Sequence, residues 1–202
     1  SMSWGSDLLV DAHRSAWMRN LTRFALRRSD WLLGDCQAVR AAAEEFGFPS
    51  ARVTLFPWGV DLRQFHPAPS VVDSVGRVSQ PASFAAEVQE RRDGIPSDAE
   101  EFNVLSLRSW EPVYGLDTVL KGFAAAAAVD PRLRLTLLSG GSLAPQIHRL
   151  LDQHGLRERV TLGGQVSQRD LPRYYQQADL YLSASRSDGS SISLLEALAC
   201  GV

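Results

Sequence analysis

The chain has 202 residues, 45% of them hydrophobic and 22% charged, with a formal net charge of −2. That is the composition of a globular protein with room for one or two domains, and its near-neutral balance excludes an electrostatic case for nucleic-acid binding. The two cysteines, Cys36 and Cys200, fall in helical contexts and form neither a metal-ligand nor a disulfide pattern, so reduced thiols of a cytoplasmic protein are expected. The longest apolar run, Phe123 to Val129, is mostly alanine and too short to span a bilayer. The first residues lack the charged and apolar regions of a secretory signal.

In chain order, Arg14 to Arg28 reads as an amphipathic helix with Trp17, Leu21, Phe24, Ala25 and Leu26 as its apolar stripe. Ser29-Asp30 breaks it, and Trp31-Leu32-Leu33 is expected to be a short buried strand. Asp35 is placed to cap a second helix through Phe46, ended by Gly47. Arg52 to Phe56 forms another strand, so this region alternates strand and helix. From Ala68 to Glu101, prolines 69, 81 and 96 and the charged run Glu87 to Asp93 predict an interdomain linker, with a short helix within Ala85 to Arg92.

A second α/β unit starts at Phe102. Strands are expected at Phe102–Leu107, Leu133–Leu138, Val160–Val166 and Leu180–Leu182. Helices are expected at Leu116–Ala128, Pro145–Gln153, Leu171–Gln177 and from about Ser191. The first of these helices turns Leu116, Val119, Leu120, Phe123 and Ala127 inward. In the last, Ile192, Leu195, Leu198 and Ala199 share an apolar face, and Gly201 ends it. Four strands alternating with four helices imply a parallel, doubly wound sheet, whose ligands bind at the carboxyl ends of the strands. Arg108, Gly140-Gly141, the turn at Val166 and Asp188-Gly189 all fall at such ends. A Gly/Ser loop leading into a helix also makes an anion site, because the first-turn amides have no intrahelical partner.

Two acids, Asp188 and Glu196, stand in that last loop–helix segment with seven residues between them. Taken alone, Asp188-Gly189 is an ordinary turn dipeptide, and Ser193-x-x-Glu196 fits a capping box. The whole pattern is more specific: acid, Gly, five small or apolar residues, Leu, then Glu-Ala-x-Ala-Cys-Gly. It resembles the signature of the family-4 retaining glycosyltransferases, the glycosyl transferases group 1. The resemblance extends to Gly5-Ser6-Asp7, to the helix end Ala25 to Asp30, and to Gly59-Val60-Asp61 with Phe65-x-Pro67.

The resemblance implies an α/β GT-B-like fold of two Rossmann-type parallel-sheet domains, both incomplete in this chain. Residues 1–67 would be the C-terminal part of the N-terminal, acceptor-side domain, 68–101 a linker or insertion, and 102–202 the truncated nucleotide-sugar-binding domain. It implies transfer of a hexose-type sugar from a UDP- or GDP-linked donor to a glycan, glycolipid or small-molecule hydroxyl, without metal or other cofactor. Peripheral membrane association would run through the missing N-terminal part. Glu196 would hold the ribose, and Asp188, where the family has Glu, would face the donor sugar. Arg108 would neutralise the departing diphosphate. Tyr114 stands where the family usually has a lysine, although a subset uses Arg…Glu-Pro-x-Tyr. Gly140, Gly141, Val166, Gly189, Ser190, Ser191 and Ile192 complete the expected donor site. No catalytic histidine carries over. Two other readings keep the fold: a non-catalytic nucleotide-sugar-binding module or inactive truncated fragment, and another nucleotide-sugar reaction such as epimerisation.

Overall fold

A computed structural model describes residues 6–68 and 100–202. The predicted linker and its short helix lie outside the described residues, apart from their margins. By compactness the described residues form two units. One holds those up to Val60 together with Ser185–Leu195, and the other holds those from Asp61 to Ala184 together with Glu196–Val202.

The first unit contains α1 (Ser6–Leu9), α2 (Ala16–Arg27), β1 (Leu32–Gly34), α3 (Gln37–Glu45) and β2 (Val53–Leu55). β1 and β2 pair in parallel, Leu32 beside Val53. Their core comprises Leu8, Leu26, Leu32, Val39, Ala42, Ala43, Phe48 and Val53. Ser15 caps α2, its hydroxyl accepting from the Met18 amide. Of the predicted α2 stripe only Leu26 is buried; Trp17, Leu21 and Phe24 are exposed among the described residues. Trp31 and Leu33 are also exposed while Leu32 is buried. The predicted buried strand is thus half-buried, with the period-2 alternation of a sheet packed on one face. The expected Asp35 cap is corrected too. Cys36 holds the N-cap of α3 and no side chain caps it.

The second unit is a four-stranded parallel sheet in the order β5-β4-β3-β6. Its strands are β3 (Phe102–Ser106), β4 (Leu133–Leu138), β5 (Val160–Gly164) and β6 (Leu180–Tyr181). Between them run α4 (Leu116–Ala127), α5 (Ala144–Gln153) and α6 (Leu171–Gln176); α7 (Ile192–Cys200) follows β6. Chain order reverses between β3 and β6, which makes their carboxyl ends the switch point of a doubly wound sheet. Leu116, Val119, Leu120, Phe123 and Ala127 are all buried as predicted. They pack with Val104, Leu135, Leu137, Ile147, Leu151 and Val160 in one core. β5 stops at Gly164 instead of Val166: the β4–β5 register slips by one residue at Leu138, and Gly164 turns to φ +65°.

In α7 the buried residues are Ser193, Glu196, Ala197 and Cys200, whereas Ile192 and Leu198 are exposed. The expected apolar face is therefore not the buried one. Two stripes compete at helical spacing, and the smaller, more polar one is turned inward.

Gly115 ends the Pro112–Tyr114 turn at φ +61°, and a Cβ there would lie 2.1 Å from the Ala184 carbonyl oxygen. Gly155 has a similar φ of +62° but open space around it. Replacement of Gly155 by Ala should cost only the left-handed backbone penalty, about 1 kcal/mol. Gly115→Ala should cost about 3 kcal/mol, because rigid backbone must also move. Urea unfolding of both variants checks this difference; equal losses would show that the loop after β6 at Ala184 yields freely.

Candidate functional site

The loops at the carboxyl ends of β3 and β4 are joined to each other. The Trp110 amide donates to the Gly140 carbonyl at 3.0 Å, and the Leu143 amide to the Trp110 carbonyl at 2.9 Å. The indole N–H of buried Trp110 donates to the Leu138 carbonyl at 3.0 Å, so this tryptophan belongs to the core. Glu111 accepts from the Ser142 amide at 2.7 Å and from the Ser142 hydroxyl at 2.5 Å. These bonds, the hydroxyl's first, hold the Glu111 carboxyl below its ordinary value. A Cβ at Gly141 would lie 2.6 Å from the Trp110 carbonyl oxygen, whereas one at Gly140 would meet nothing within 4 Å. Gly141 is therefore required by the joint between the loops, whereas Gly140 has open space around it. Ser139, just before, takes φ 73°, an unusual backbone for a residue with a side chain.

Arg108 leaves β3 in this same region. Its guanidinium carbon stands 4.1 Å from the centre of the Tyr114 ring. Tyr114 thus supplies an aromatic bed for the cation where a second cation was expected from the family pattern. The ring packs against a guanidinium, a group whose planar fork matches phosphate oxygens.

Glu196 is buried, 4% exposed, on α7. Its Oε1 accepts from the Gln168 side-chain amide at 2.7 Å, and its Oε2 from the Tyr175 hydroxyl at 2.9 Å. It is the fifth residue of α7, so it does not fold back as a capping box. Tyr175 is completely buried; burial, then the Glu196 charge and hydrogen bond, push its phenol well above the ordinary value. Burial first and Glu196 second also raise the Cys200 thiol. Edge contacts run from Phe65 to Tyr175 and on to Tyr181, with ring centres 6.0 Å apart in both pairs. Gln64 donates to the Gln168 carbonyl at 2.5 Å. Gln168 also lines a cleft of about 400 Å³ with Asp61, Arg63, Gln64 and Arg169. Val166 is half-buried in the loop after β5, two residues before Gln168.

Asp188, Gly189, Ser190, Ser191 and Ile192 group with the first unit. The Ser190 amide donates to Asp35 Oδ2 at 2.6 Å, and the Ser190 hydroxyl to the Asp35 carbonyl at 3.0 Å. The Ser191 carbonyl accepts from the Leu194 and Leu195 amides, both at 3.2 Å, starting α7. The Ser191 and Ser193 hydroxyls are bonded at 3.0 Å.

The structure therefore brings Arg108 to Tyr114, joins the Gly141 turn to Trp110 and Glu111, and gives Glu196 a buried socket. Sequence reasoning missed Gln168, Tyr175 and Asp35. The Tyr174-Tyr175 pair in a short helix signals that one ring must face inward, but nothing local names Glu196 as its partner. Among the described residues, no three or more His, Cys, Asp or Glu side chains cluster as a metal site. No helix among them is long and apolar enough to cross a membrane.

Mannosylfructose-phosphate synthase of Agrobacterium fabrum is 26% identical over 78% of this chain and 33% of its own length. D-inositol 3-phosphate glycosyltransferase of Thermobispora bispora is 27% identical over 98% of the chain and 48% of its length. The chain thus spans half or less of the curated relatives it matches. The solved structure of Anabaena Alr3699/HepE in complex with UDP-glucose shares the fold with a TM-score of 0.73, at 18% identity, over 99% of this chain and 51% of that one. Sucrose-phosphate synthase from Thermosynechococcus elongatus shares it with a TM-score of 0.72 at 22% identity, over 99% and 47%. The fold class is the expected GT-B-like one of Rossmann-type parallel sheets. The model of the family described as glycosyl transferases group 1 matches residues 87–202, more than half of the sequence, and the chain belongs to that family.

Proposed function

We propose that the protein is a retaining glycosyltransferase that moves a hexose-type sugar from UDP or GDP to a hydroxyl of a glycan, glycolipid or small molecule. The observation that carries this reading is the buried Glu196 carboxylate. It is held by Gln168 and Tyr175 in the segment matched by the family, with both oxygens oriented and lone pairs remaining for the ribose hydroxyls. Arg108, bedded on Tyr114, receives the diphosphate, and Gly140 lets the phosphate approach the backbone. Asp188 and the Gly189–Ser191 backbone orient the sugar.

In the reaction, the bond from the anomeric carbon to the diphosphate oxygen breaks and its electron pair stays on that oxygen. The acceptor oxygen bonds to the anomeric carbon on the same face, and the acceptor's proton passes to the leaving phosphate. Charge develops on the leaving oxygen, so a restrained guanidinium supplies the stabilisation and no metal is needed. The free thiols Cys36 and Cys200 suit a cytoplasmic protein. The aromatic bed at Tyr114, where the family usually has a lysine, favours one second reading, a nucleotide-sugar-binding module without turnover. Donor hydrolysis or sugar transfer that disappears in Arg108→Ala would separate the two.

Calorimetric titration with UDP and with GDP is expected to show saturable binding of one of them. Glu196→Ala should weaken it about tenfold or more, roughly 1.4 kcal/mol, with Glu196→Gln in between. Unchanged affinity in a folded Glu196→Ala protein would refute the ribose role. Tyr114→Leu should weaken the same nucleotide severalfold by removing the ring beneath Arg108, while Tyr114→Phe retains affinity; equal losses in both would rule out the stacking role.

Because the Tyr175 phenol is raised in the folded state, its protonated form contributes stability that is full below the ordinary value of 10.0 and is lost as pH climbs beyond it. Tyr175→Phe should be less stable at neutral pH, by about 1 kcal/mol. Its unfolding midpoint should fall less steeply than that of the unaltered protein above pH ~10. Parallel alkaline limbs in a series of thermal melts would contradict the coupling.

A further inference from the structure

α2 lies wholly within the first unit, and its two sides differ. Met18 and Thr22 are half-buried and Leu26 is buried, which marks the side turned inward. Trp17, Leu21 and Phe24 recur at i, i+4 and i+7 on a stripe turned away from it. They are 69%, 44% and 56% exposed. Single exposed apolar side chains are ordinary, but a Trp, a Leu and a Phe in one stripe make a patch. The charge on the same helix is one-sided. From Arg14 to Arg28 there are five arginines and no acid, in a chain whose net charge is −2. Arg14 is paired with Asp11 at 3.1 Å, whereas among the described residues no ion pair involves Arg19, Arg23, Arg27 or Arg28. Arg27 and Arg28 are exposed where the stripe ends, and the Arg28 guanidinium carbon stands 4.9 Å from the centre of the Phe24 ring.

We propose that α2 is a docking element for an anionic lipid surface, lying in the plane of the interface. Trp17, Leu21 and Phe24 enter the boundary between headgroups and acyl chains, and Arg27 and Arg28 meet the lipid phosphates. Such a helix gains from burying its apolar stripe and from the attraction of its basic residues to anionic headgroups. A guanidinium forks onto phosphate oxygens, and its flat face against Phe24 carries the charge to the depth of the ring. The 12 residues of α2 lie along a bilayer surface and are too few to cross it. A second copy of the chain fits the stripe less well, because two such helices face to face bring like charges together. α2 carries none of the donor-site residues, so failure of this proposal would leave the donor-site reading standing.

The test is co-sedimentation of the chain with vesicles of phosphatidylcholine and phosphatidylglycerol in equal parts, beside vesicles of phosphatidylcholine alone. The mixed vesicles should be bound about tenfold more tightly, and the preference should shrink as salt rises from about 0.1 M to about 1 M. Trp17→Ser, Leu21→Ser and Phe24→Ser combined should weaken binding to the mixed vesicles about tenfold or more. Arg27→Gln with Arg28→Gln should lose most of the preference for the anionic vesicles, and Arg27→Lys with Arg28→Lys should keep it. All five positions are exposed, and circular dichroism checks that each variant is folded. Equal binding to both kinds of vesicle, no binding by the folded chain, or binding unchanged in either the Ser or the Gln variant would overturn the proposal. Concentration-dependent dimerisation without vesicle binding, abolished in the Ser variant, would overturn it in favour of a second copy.

Discussion

The second unit is arranged around one buried carboxylate. Removing a carboxylate from water costs several kcal/mol unless hydrogen bonds replace the lost hydration. Glu196 has two such bonds, from Gln168 and Tyr175, and each partner is fixed in turn. Gln168 is tied through its carbonyl to Gln64, and Tyr175 is wedged between Phe65 and Tyr181. The Gln176 side chain donates to the His66 carbonyl at 2.9 Å. The segment from Asp61 to Pro67 is thereby bound into the socket, which is why it groups with the sheet that follows it and not with the strands before it. A structural carboxylate with no ligand would be cheaper to replace by an apolar side chain. In the function proposed above, the same two bonds orient Glu196 as a binding group.

The parts of the fold that were legible from sequence are those in which local pattern and burial agree. β4 occupies the six residues expected of it, and all five inward positions of α4 are buried. Nothing in those segments offers a second face of comparable quality. α7 fails for the opposite reason. Ile192, Leu195 and Leu198 recur at helical spacing, but so do Ser193, Glu196, Ala197 and Cys200. Hydrophobicity alone selects the first set, because a buried Glu is unfavourable until its donors are known. Those donors lie 21 and 28 residues away, and no local spacing reports them.

Asp35 illustrates the same limit. Its sequence setting satisfies the rule for a helix cap, and the carboxylate instead serves an amide supplied from a distant loop. The candidate site was legible as a set of positions, because strand ends in a parallel sheet gather loops wherever the sequence is read correctly into strands. What each residue touches was not. Tyr114 could be noticed as a departure from the family pattern, but its place under Arg108 depends on the turn at Pro112–Tyr114 and on Gly115, whose backbone passes against Ala184.

The glycines separate the two kinds of requirement. Gly115, Gly141 and Gly189 each stand where a Cβ would strike a backbone or carboxylate oxygen at 2.6 Å or less. They are needed by the packing of the loops themselves. Gly140 is crowded by nothing, yet it follows Ser139 in a left-handed conformation and precedes the crowded Gly141. The Gly140 carbonyl accepts the Trp110 amide, but no neighbour requires that this residue lack a side chain. Tight packing explains a glycine by what it excludes; here the excluded side chain would meet only space. In the function proposed above, that open backbone is where the diphosphate approaches, and the Arg108 cation against Tyr114 on the neighbouring loop supplies the opposite charge.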